Sequence, residues 1–324
     1  MSGRLIQMSG IVVDLVHAVD AWPVPGGEVE ATRADIAAGG GFNALVAARR
    51  SGAEVAYGGA LGSGVFADIA QAALEAEGIA VLQRWRKPMD QGHCVVLVEA
   101  GGERSFISHH GAERHLDLTD IEAIRPAPAD WILVTGYALH HPRSRFAMTA
   151  WLKGLPRGPT LFFDPGPMVA EIPAAALATV LDRADWVSAN RIEAEVLTGR
   201  SDPSDAALSL AAGRGGALAR DGARGCWLAG PRSEVEPVAG FDVDAVDTTG
   251  AGDAHDGAFI AASLRGHSPR DAATFANAAA AIITATRGPA TAPRLEAVRA
   301  FLAARGAEVR PPFARSEASF RHRV

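Results

Sequence analysis

The stretch DTTGAGDAHDGAF, residues 247–259, places a small-residue turn directly before an apolar helical pattern. Gly250 and Gly252 allow tight backbone geometry, and the start of the following helix offers N–H groups with positive dipole character. Such a helix start is a ready site for phosphate oxygens. Asp253 then has two interpretations. It either caps the helix, or it takes a proton from an attacking hydroxyl while the turn holds a transferring phosphoryl group. The stretch alone does not decide between them.

The composition is typical of an ordinary soluble globular protein. The chain has 324 residues, of which 48% are hydrophobic and 21% charged, and its formal net charge is -6. This mild acidity favours neither nucleic acid nor an anionic membrane as a partner. We expect no signal peptide, no membrane span and a cytoplasmic location. The two lysines, Lys87 and Lys153, follow no G-x-x-x-x-G pattern, so a Walker-type phosphate loop is excluded.

Short apolar runs alternate with amphipathic stretches along most of the chain, which predicts an α/β fold with a mostly parallel sheet flanked by helices. The predicted strands lie at 11–15, 131–136, 160–164, 185–189, 216–220 and 225–229. The predicted helices lie at 42–51, 65–77, 143–153, 173–183, 190–198, 203–213, 252–265, 269–285 and 294–304.

Two segments, 22–38 and 84–112, differ from this pattern because polar and apolar residues alternate in them. This alternation predicts antiparallel strands. They predict a small β appendage at one edge of the large sheet. The expected domain organisation is a large domain of residues 1–21, 39–83 and 113–310, a small β lid of residues 22–38 and 84–112, and a polar C-terminal tail of residues 311–324.

Four motifs, taken together, resemble those of the ribokinase-like (PfkB) family of sugar and nucleoside kinases. In chain order, they are a G-x-x-x-D element with Gly10 and Asp14, the run Ala38-Gly39-Gly40-Gly41-Phe42-Asn43-Ala44, the N-x-x-E motif Asn190-Arg191-Ile192-Glu193, and the run Asp247 to Asp253 followed by Gly257. The resemblance covers the chain up to about residue 304. It implies a three-layer α/β/α fold with a mostly parallel central sheet and a β-strand lid, which in the family can also form a homodimer surface.

The resemblance also implies roles for single residues on the acceptor side. Asp253 would be the general base on the acceptor hydroxyl, and the N–H groups of Gly250, Ala251 and Gly252 would form the anion hole. Acceptor hydroxyls would be bound by the residues at Asp14, Gly40, Gly41 and Asn43. The family often has a lysine where this chain has Gly41, so a lysine contact there is absent.

On the nucleotide side, the resemblance implies ATP with Mg²⁺. Asn190 and Glu193 would organise the Mg²⁺ and the phosphates, with Glu193 acting through water. Thr249 would lie at the phosphates, and Asn277 against the adenine. Asp247 and Thr249 also match positions that hold a monovalent cation such as K⁺, together with the loop Thr286-Arg287-Gly288-Pro289.

Each role has a structural alternative. Asp14 could end a strand, Asn43 could cap a helix, Glu193 could be a solvated first-turn acid, and Asn277 could face solvent. His255 could be a packing residue or a substrate contact.

The predicted function is an ATP-dependent kinase of a hydroxymethyl group on a small sugar or nucleoside. The run Asp164-Pro165-Gly166-Pro167-Met168 lacks the amide and arginine of the family's D-P-N-x-R motif, as in a little-characterised branch of sugar kinases that also has His after G-A-G-D-x. The alternatives are a kinase of a sugar phosphate, which could use Arg84, Arg86, Lys87 or Arg104, and a catalytically silent binding protein. A dinucleotide-dependent oxidoreductase rests only on the loose glycine pattern at 62–67.

Overall fold

The computed structural model describes residues 3–84, 86–99, 101, 103–232, 234–286, 292–307 and 309–310. The described residues form a large sheet covered by helices on both faces and a smaller second sheet. The whole of the expected C-terminal tail, residues 311–324, lies outside the described residues, as do Arg287 to Pro289 of the expected cation-binding loop. No helix in the described ranges has the length and apolar character needed to span a membrane.

The large sheet has nine strands within the described part of the chain. In spatial order these are β13 (Val235–Ala239), β12 (Gly225–Ala229), β11 (Gly216–Arg220), β10 (Trp186–Asn190), β9 (Thr160–Asp164), β8 (Trp131–Thr135), β1 (Leu5–Gln7), β4 (Val55–Tyr57) and β5 (Ala80–Val81). Strands β11 to β5 in this order pair in parallel, whereas β12 and β13 pair antiparallel at one edge. The predicted α/β class with a mostly parallel sheet is confirmed.

The helices begin and end close to the predicted positions. They are α1 (Gly41–Arg50), α2 (Val65–Ala76), α3 (Leu118–Glu122), α4 (Tyr137–His140), α5 (Pro142–Gly154), α6 (Ala174–Arg183), α7 (Arg191–Thr198), α8 (Pro203–Ala211), α9 (Ala251–Leu264), α10 (Pro269–Thr284) and α11 (Leu295–Ala304). The short helices α3 and α4 have no counterpart among the predictions.

The protein has three layers, helices, sheet and helices, because the strands carry apolar side chains on both faces of the sheet. On β9, Phe162 packs into a core with α1, α9 and α10, whereas Leu161 and Phe163 pack into a second core with α5, α6 and α8. Because successive side chains of a strand point to opposite faces, a continuous apolar run needs helices on both. The strand apolarity therefore produces the α/β/α arrangement.

Helix α9 lies at the centre of the first core. Its residues 254–262 are all buried, and it packs against α1 and α10. Gly257 makes this approach possible, since a Cβ there would lie 2.3 Å from the carbonyl oxygen of Ala44 on α1. This packing fixes the start of α9 relative to the start of α1.

The second sheet has the order β3-β2-β6-β7, with β2 (Ile11–Val19), β3 (Arg33–Gly40), β6 (His93–Glu99) and β7 (Arg104–His109). We call this sheet the lid. The strand predicted at 11–15 therefore lies in the lid, and β1 takes its place in the large sheet. Residues 14–18 are only half-buried, as expected for a sheet with one open face. Of the predicted strand segment 22–38, only the part from Arg33 onward is a strand.

The domain boundaries predicted above stay a prediction, as does the homodimer. The lid exposes the apolar side chains of Ile36, Phe106 and Ile107, each about three-fifths accessible (62%, 58% and 59%). An exposed edge and face of this kind need covering. The mass of the protein in solution would test the homodimer.

Candidate active site

The turn before α9 has the backbone geometry that its glycines suggested. Gly250 is the N-cap of α9 and adopts a left-handed conformation with φ of 72°. The N–H groups of the first turn of a helix have no acceptor within the helix. The Ala251 N–H already has a long turn contact, 3.3 Å from the carbonyl oxygen of Thr248. Gly252 and Asp253 follow in the same first turn.

We expect Gly250→Ala to lower the free energy of unfolding by about 1–2 kcal/mol, because residues with a Cβ are disfavoured in the left-handed region. The new methyl group would also lie 3.3 Å from the Asn43 amide nitrogen. Gly252→Ala is the matched control, since the nearest atom to its Cβ would be the central guanidinium carbon of Arg220, 3.6 Å away. Urea unfolding of both variants measures the difference, and equal losses would contradict a conformational role for Gly250.

Asp253 lies in the first turn of α9, beside Asn43 in the first turn of α1. The Asn43 amide donates to the Asp253 carboxylate at 3.4 Å, a long hydrogen bond. Burial and the negative charges of Asp164 and Asp256 together raise the pKa of the Asp253 carboxyl to about 7, although Asn43 and Arg220 act to lower it. A carboxyl group with a pKa near neutrality can both accept and release a proton at physiological pH.

Arg220, the last residue of β11, is the centre of a buried cluster of acids. Its Nη1 donates to Asp164 at 2.9 Å and to Asp256 at 2.9 Å, and its Nη2 lies 3.3 Å from Glu193. The Ser188 hydroxyl bridges the cluster by donating to Asp256 at 2.6 Å. One guanidinium thus neutralises part of the charge of three carboxylates that come from three different elements.

Arg220 and its three acids, which we call the Arg220 cluster, lie next to the glycine turn. A Cβ on Gly252 would be 3.6 Å from the central guanidinium carbon of Arg220. Burial raises the pKa of Asp164 to about 7, with Arg220 acting in the opposite direction. Asp164 belongs to the run that lacks the family's arginine, and Arg220 supplies a guanidinium to it from another strand.

Asn190 and Glu193 form a reciprocal cap at the start of α7. The Glu193 N–H donates to the Asn190 side chain at 3.0 Å, and the Asn190 N–H and amide donate to the two oxygens of Glu193 at 2.7 and 2.6 Å. Burial raises the pKa of Glu193. Both carboxylate oxygens are therefore occupied, which fits contact with a hydrated Mg²⁺ through water better than direct coordination. In the described part of the chain, no group of three or more His, Cys, Asp or Glu side chains is arranged to hold a metal ion.

Asp14 lies in β2, opposite Ala37 of β3 in the lid sheet. Its carboxylate covers Gly39, because a Cβ on that glycine would lie only 2.0 Å from an Asp14 oxygen. Burial raises the pKa of Asp14 to about 6. Gly40 has a φ of 58°, and the Gly41 N–H donates to the Gly10 carbonyl at 2.9 Å, so the two glycine-containing motifs meet where β3 passes into α1.

Asp247 and Thr249 form the approach to the glycine turn. The Thr249 N–H donates to the Asp247 carboxylate at 2.9 Å. The other carboxylate oxygen contacts the guanidinium of Arg104, which comes from β7 of the lid. The sequence pattern did not predict this contact between the lid and the turn.

Asn277 and His255 are buried together, with 6% and 3% of their surfaces exposed. His255 Nε2 lies 3.1 Å from the Asn277 side-chain oxygen, and the Asn277 amide donates to the carbonyls of Val238 and Ala239 at 3.0 and 3.1 Å. Burial lowers the pKa of His255 to about 3, so the ring is neutral. Asn277 does not face solvent, and the adenine contact expected for it stays a prediction.

A model of the pfkB family of carbohydrate kinases matches residues 6–296. The chain is 31% identical over 299 residues to the uncharacterized sugar kinase YegV of Escherichia coli K12, covering 90% of this chain and 92% of that protein. It is 32% identical over 312 residues to an ATP-dependent ribose-1-phosphate kinase of Halopiger xanaduensis, covering 93% and 99%.

The fold agrees with these sequence relationships. The structure of Arabidopsis thaliana ribokinase complexed with ribose and ATP superimposes with a TM-score of 0.74 at 23% identity, covering 93% of this chain and 99% of that one. This likeness concerns the architecture alone.

Proposed function

The chain belongs to the pfkB family of carbohydrate kinases, and we propose that it transfers the γ-phosphoryl group of ATP to a hydroxymethyl group of an unphosphorylated small sugar or nucleoside. The observation that carries this proposal is the position of Asp253. Its carboxylate, with a pKa of about 7, lies in the first turn of α9, next to the left-handed glycine turn and within contact of Asn43. A base and an anion-binding turn are thus built into the same few residues.

In the proposed reaction, the acceptor hydroxyls are bound by Asn43, Asp14, Gly40 and Gly41. The acceptor hydroxyl gives its proton to a carboxylate oxygen of Asp253 as its oxygen forms a bond to the γ-phosphorus of ATP. The bond from that phosphorus to the bridging oxygen of ADP breaks, and ADP leaves. The N–H groups of Gly252 and its neighbours in the turn stabilise the charge on the transferring group.

Glu193, with Asn190, would hold Mg²⁺ through water beside this turn, and the ion would neutralise phosphate charge when it is bound with ATP. The residues of this chain contribute the rest of the electrostatics. Arg220 weakens the repulsion between the nucleotide and the carboxylates of Asp164, Glu193 and Asp256, because its guanidinium lies among them at 2.9 to 3.3 Å. Thr249, at the start of the turn, would lie at the phosphates.

We expect kcat/KM to rise with pH and to level off above about 7. Asp253 acts as the ionised base, and a raised pKa of about 7 means that the inactive protonated form predominates below that pH. Below a pH of about 6, the slope should steepen, because Asp14 then also becomes protonated. Steady-state rates at saturating ATP and varied acceptor measure this profile. A profile that is flat from pH 5 to 8 would contradict the assignment.

The cations near the lid favour an acceptor without a phosphate. Lys87 is paired with Asp117 and Asp120, Arg86 with Asp68, and Arg104 with Asp247. A phosphate on the acceptor would have to compete with these carboxylates.

The similarity to a ribose-1-phosphate kinase supports the second candidate, a sugar-phosphate kinase. A panel of free sugars, nucleosides and sugar phosphates, read through ADP release, decides between them. The proposal is supported if a free sugar or nucleoside has the highest kcat/KM, and contradicted if a sugar phosphate has.

A further inference from the structure

An ion pair links the lid to the approach of the glycine turn. Arg104 is the first residue of β7 and lies opposite Val98 of β6 in the lid sheet. Its guanidinium contacts the carboxylate of Asp247 in the run that leads to Gly250. Only 17% of the Arg104 side chain and 9% of the Asp247 side chain are exposed. A pair so poorly exposed to water is weakly screened, unlike an ordinary surface pair.

Asp247 holds the backbone that forms the turn. One carboxylate oxygen accepts the Thr249 N–H at 2.9 Å, and the Asp247 N–H donates to the Thr284 carbonyl at 3.0 Å. The chain then continues through Thr249 into the left-handed Gly250 and the first turn of α9. A reorientation of the Asp247 carboxylate that breaks its bond to the Thr249 N–H would therefore loosen the backbone that leads into the turn.

The guanidinium of Arg104 lies where the family resemblance would place a monovalent cation beside Asp247. An ion such as K⁺ would need oxygen ligands there, and the fixed positive charge of Arg104 repels it while occupying a carboxylate oxygen. The described residues around Asp247 therefore do not fit a monovalent cation. The positive charge beside Asp247 is instead the guanidinium of Arg104.

We propose that Arg104 is a positioning residue that replaces a monovalent cation at Asp247 and makes the order of the glycine turn depend on a closed lid. This inference rests on the proposed role of the turn in phosphoryl transfer. A separate ion binds whether or not the lid is closed, whereas Arg104 reaches Asp247 only when the lid strand lies over the site. The turn would then be complete only when water is excluded, which limits wasteful hydrolysis of ATP.

Three other cations near the lid, Arg86, Lys87 and Arg33, pair with carboxylates away from the turn. Arg86 pairs with the exposed Asp68 of α2, and Lys87 pairs with acids at the start of α3. Arg33 pairs with Asp35 on the exposed edge strand of the lid itself. Arg33 is therefore a matched control, because it is a lid arginine in a carboxylate pair that does not touch the turn.

The test compares wild type, Arg104→Met, Arg104→Lys and Arg33→Met at fixed ionic strength, with K⁺, Na⁺ or tetramethylammonium as the only monovalent cation. Wild-type kcat should be the same in all three salts. Arg104→Met should lose about 10- to 100-fold in kcat, the effect of a lost charge-assisted hydrogen bond, with a smaller change in the KM for ATP. Arg104→Lys should retain part of the rate, and Arg33→Met should match wild type.

A second measurement does not depend on activity. If Arg104→Met opens the Asp247 carboxylate to an ion, K⁺ should raise the Tm of this variant relative to tetramethylammonium, but not the Tm of wild type. A wild-type enzyme that requires K⁺, or an Arg104→Met variant with wild-type kcat, would overturn the proposal. The Asp253→Asn variant distinguishes failure of the proposed base from failure of the proposed role of Arg104. Full activity of that variant would contradict the base. The cation dependence of wild type and Arg104→Met could still be measured.

Discussion

Replacing Asp253 by asparagine should lower kcat by about 10²- to 10⁴-fold, the range that removal of a general base produces. The amide is almost the same size as the carboxylate and still offers an oxygen to the Asn43 amide, which lies 3.4 Å away. It cannot accept a proton from the acceptor hydroxyl. ATP binding should change little, since the turn and the Arg220 cluster keep their backbone positions. ADP release with the best acceptor, and ATP affinity by calorimetry, measure the two effects.

The control for this variant is Asp271→Asn. Asp271 is likewise an acid in the first turn of a helix, α10, where it interacts with the helix N-terminus and with Ser268. Asp271→Asn should leave kcat unchanged, because the residue contacts no part of the proposed site. An Asp253→Asn variant that turns over near the wild-type rate would reject Asp253 as the base. It would leave capping of α9 as its role.

Replacing Arg220 by methionine should lower the free energy of unfolding by about 3–5 kcal/mol, the cost of removing one partner from a buried charge cluster. Methionine fills much of the same volume, but Asp164, Asp256 and Glu193 lose their common donor. Their mutual repulsion grows as they ionise, so the loss should be smallest in mild acid and increase as the pH rises through about 7. Urea unfolding at several pH values measures this dependence.

Arg224→Met provides the comparison for Arg220. Arg224 follows in the same β11–β12 connection and pairs with Asp221, but most of its side chain is exposed. Its replacement should leave the free energy of unfolding within experimental error. Arg220→Lys, which keeps a positive charge, should retain enough stability for kinetics. An Arg220→Met variant as stable as wild type at pH 8 would show that the cluster does not depend on its arginine.

Arg220 also lowers the pKa of Asp253. In any Arg220 variant that weakens this positive charge, the acid limb of the pH profile should move to higher pH. A purely structural role for Arg220 would lower the rate without moving the limb. This shift accompanies the stability measurement and distinguishes an electrostatic role from packing.

The helices and most of the large sheet could be predicted because their signals are local. The apolar run of 251–264 and the glycines before it are contained in one stretch, as is the cap formed by Asn190 and Glu193. The predicted position of β9 agrees with the structure to the residue, since an apolar run ending in Asp164 and proline leaves little choice.

The Arg220 cluster and the Arg104–Asp247 pair could not be predicted in this way. Arg220 looked like the polar end of a buried strand, and its partners come from β9, α7 and α9, as far as 56 residues away in sequence. The prediction that strand 11–15 belongs to the large sheet was wrong for a related reason. Residues 11–15 are apolar enough for either sheet, and the half-burial that is typical of the lid sheet extends over residues 14–18, mostly beyond the predicted strand.

The contact between Asn43 and Asp253 joins residues that are 210 positions apart in the chain. Contacts of such long sequence separation form late, because the entropy of closing a long loop must be overcome before they contribute stability. The proposed acceptor side of the site comes from the N-terminal motifs of the chain, and the proposed base and glycine turn come from the last, so a chain released before α9 lacks both the base and the turn. During synthesis, we therefore expect the proposed phosphoryl transfer to become possible only once α9 has packed against α1.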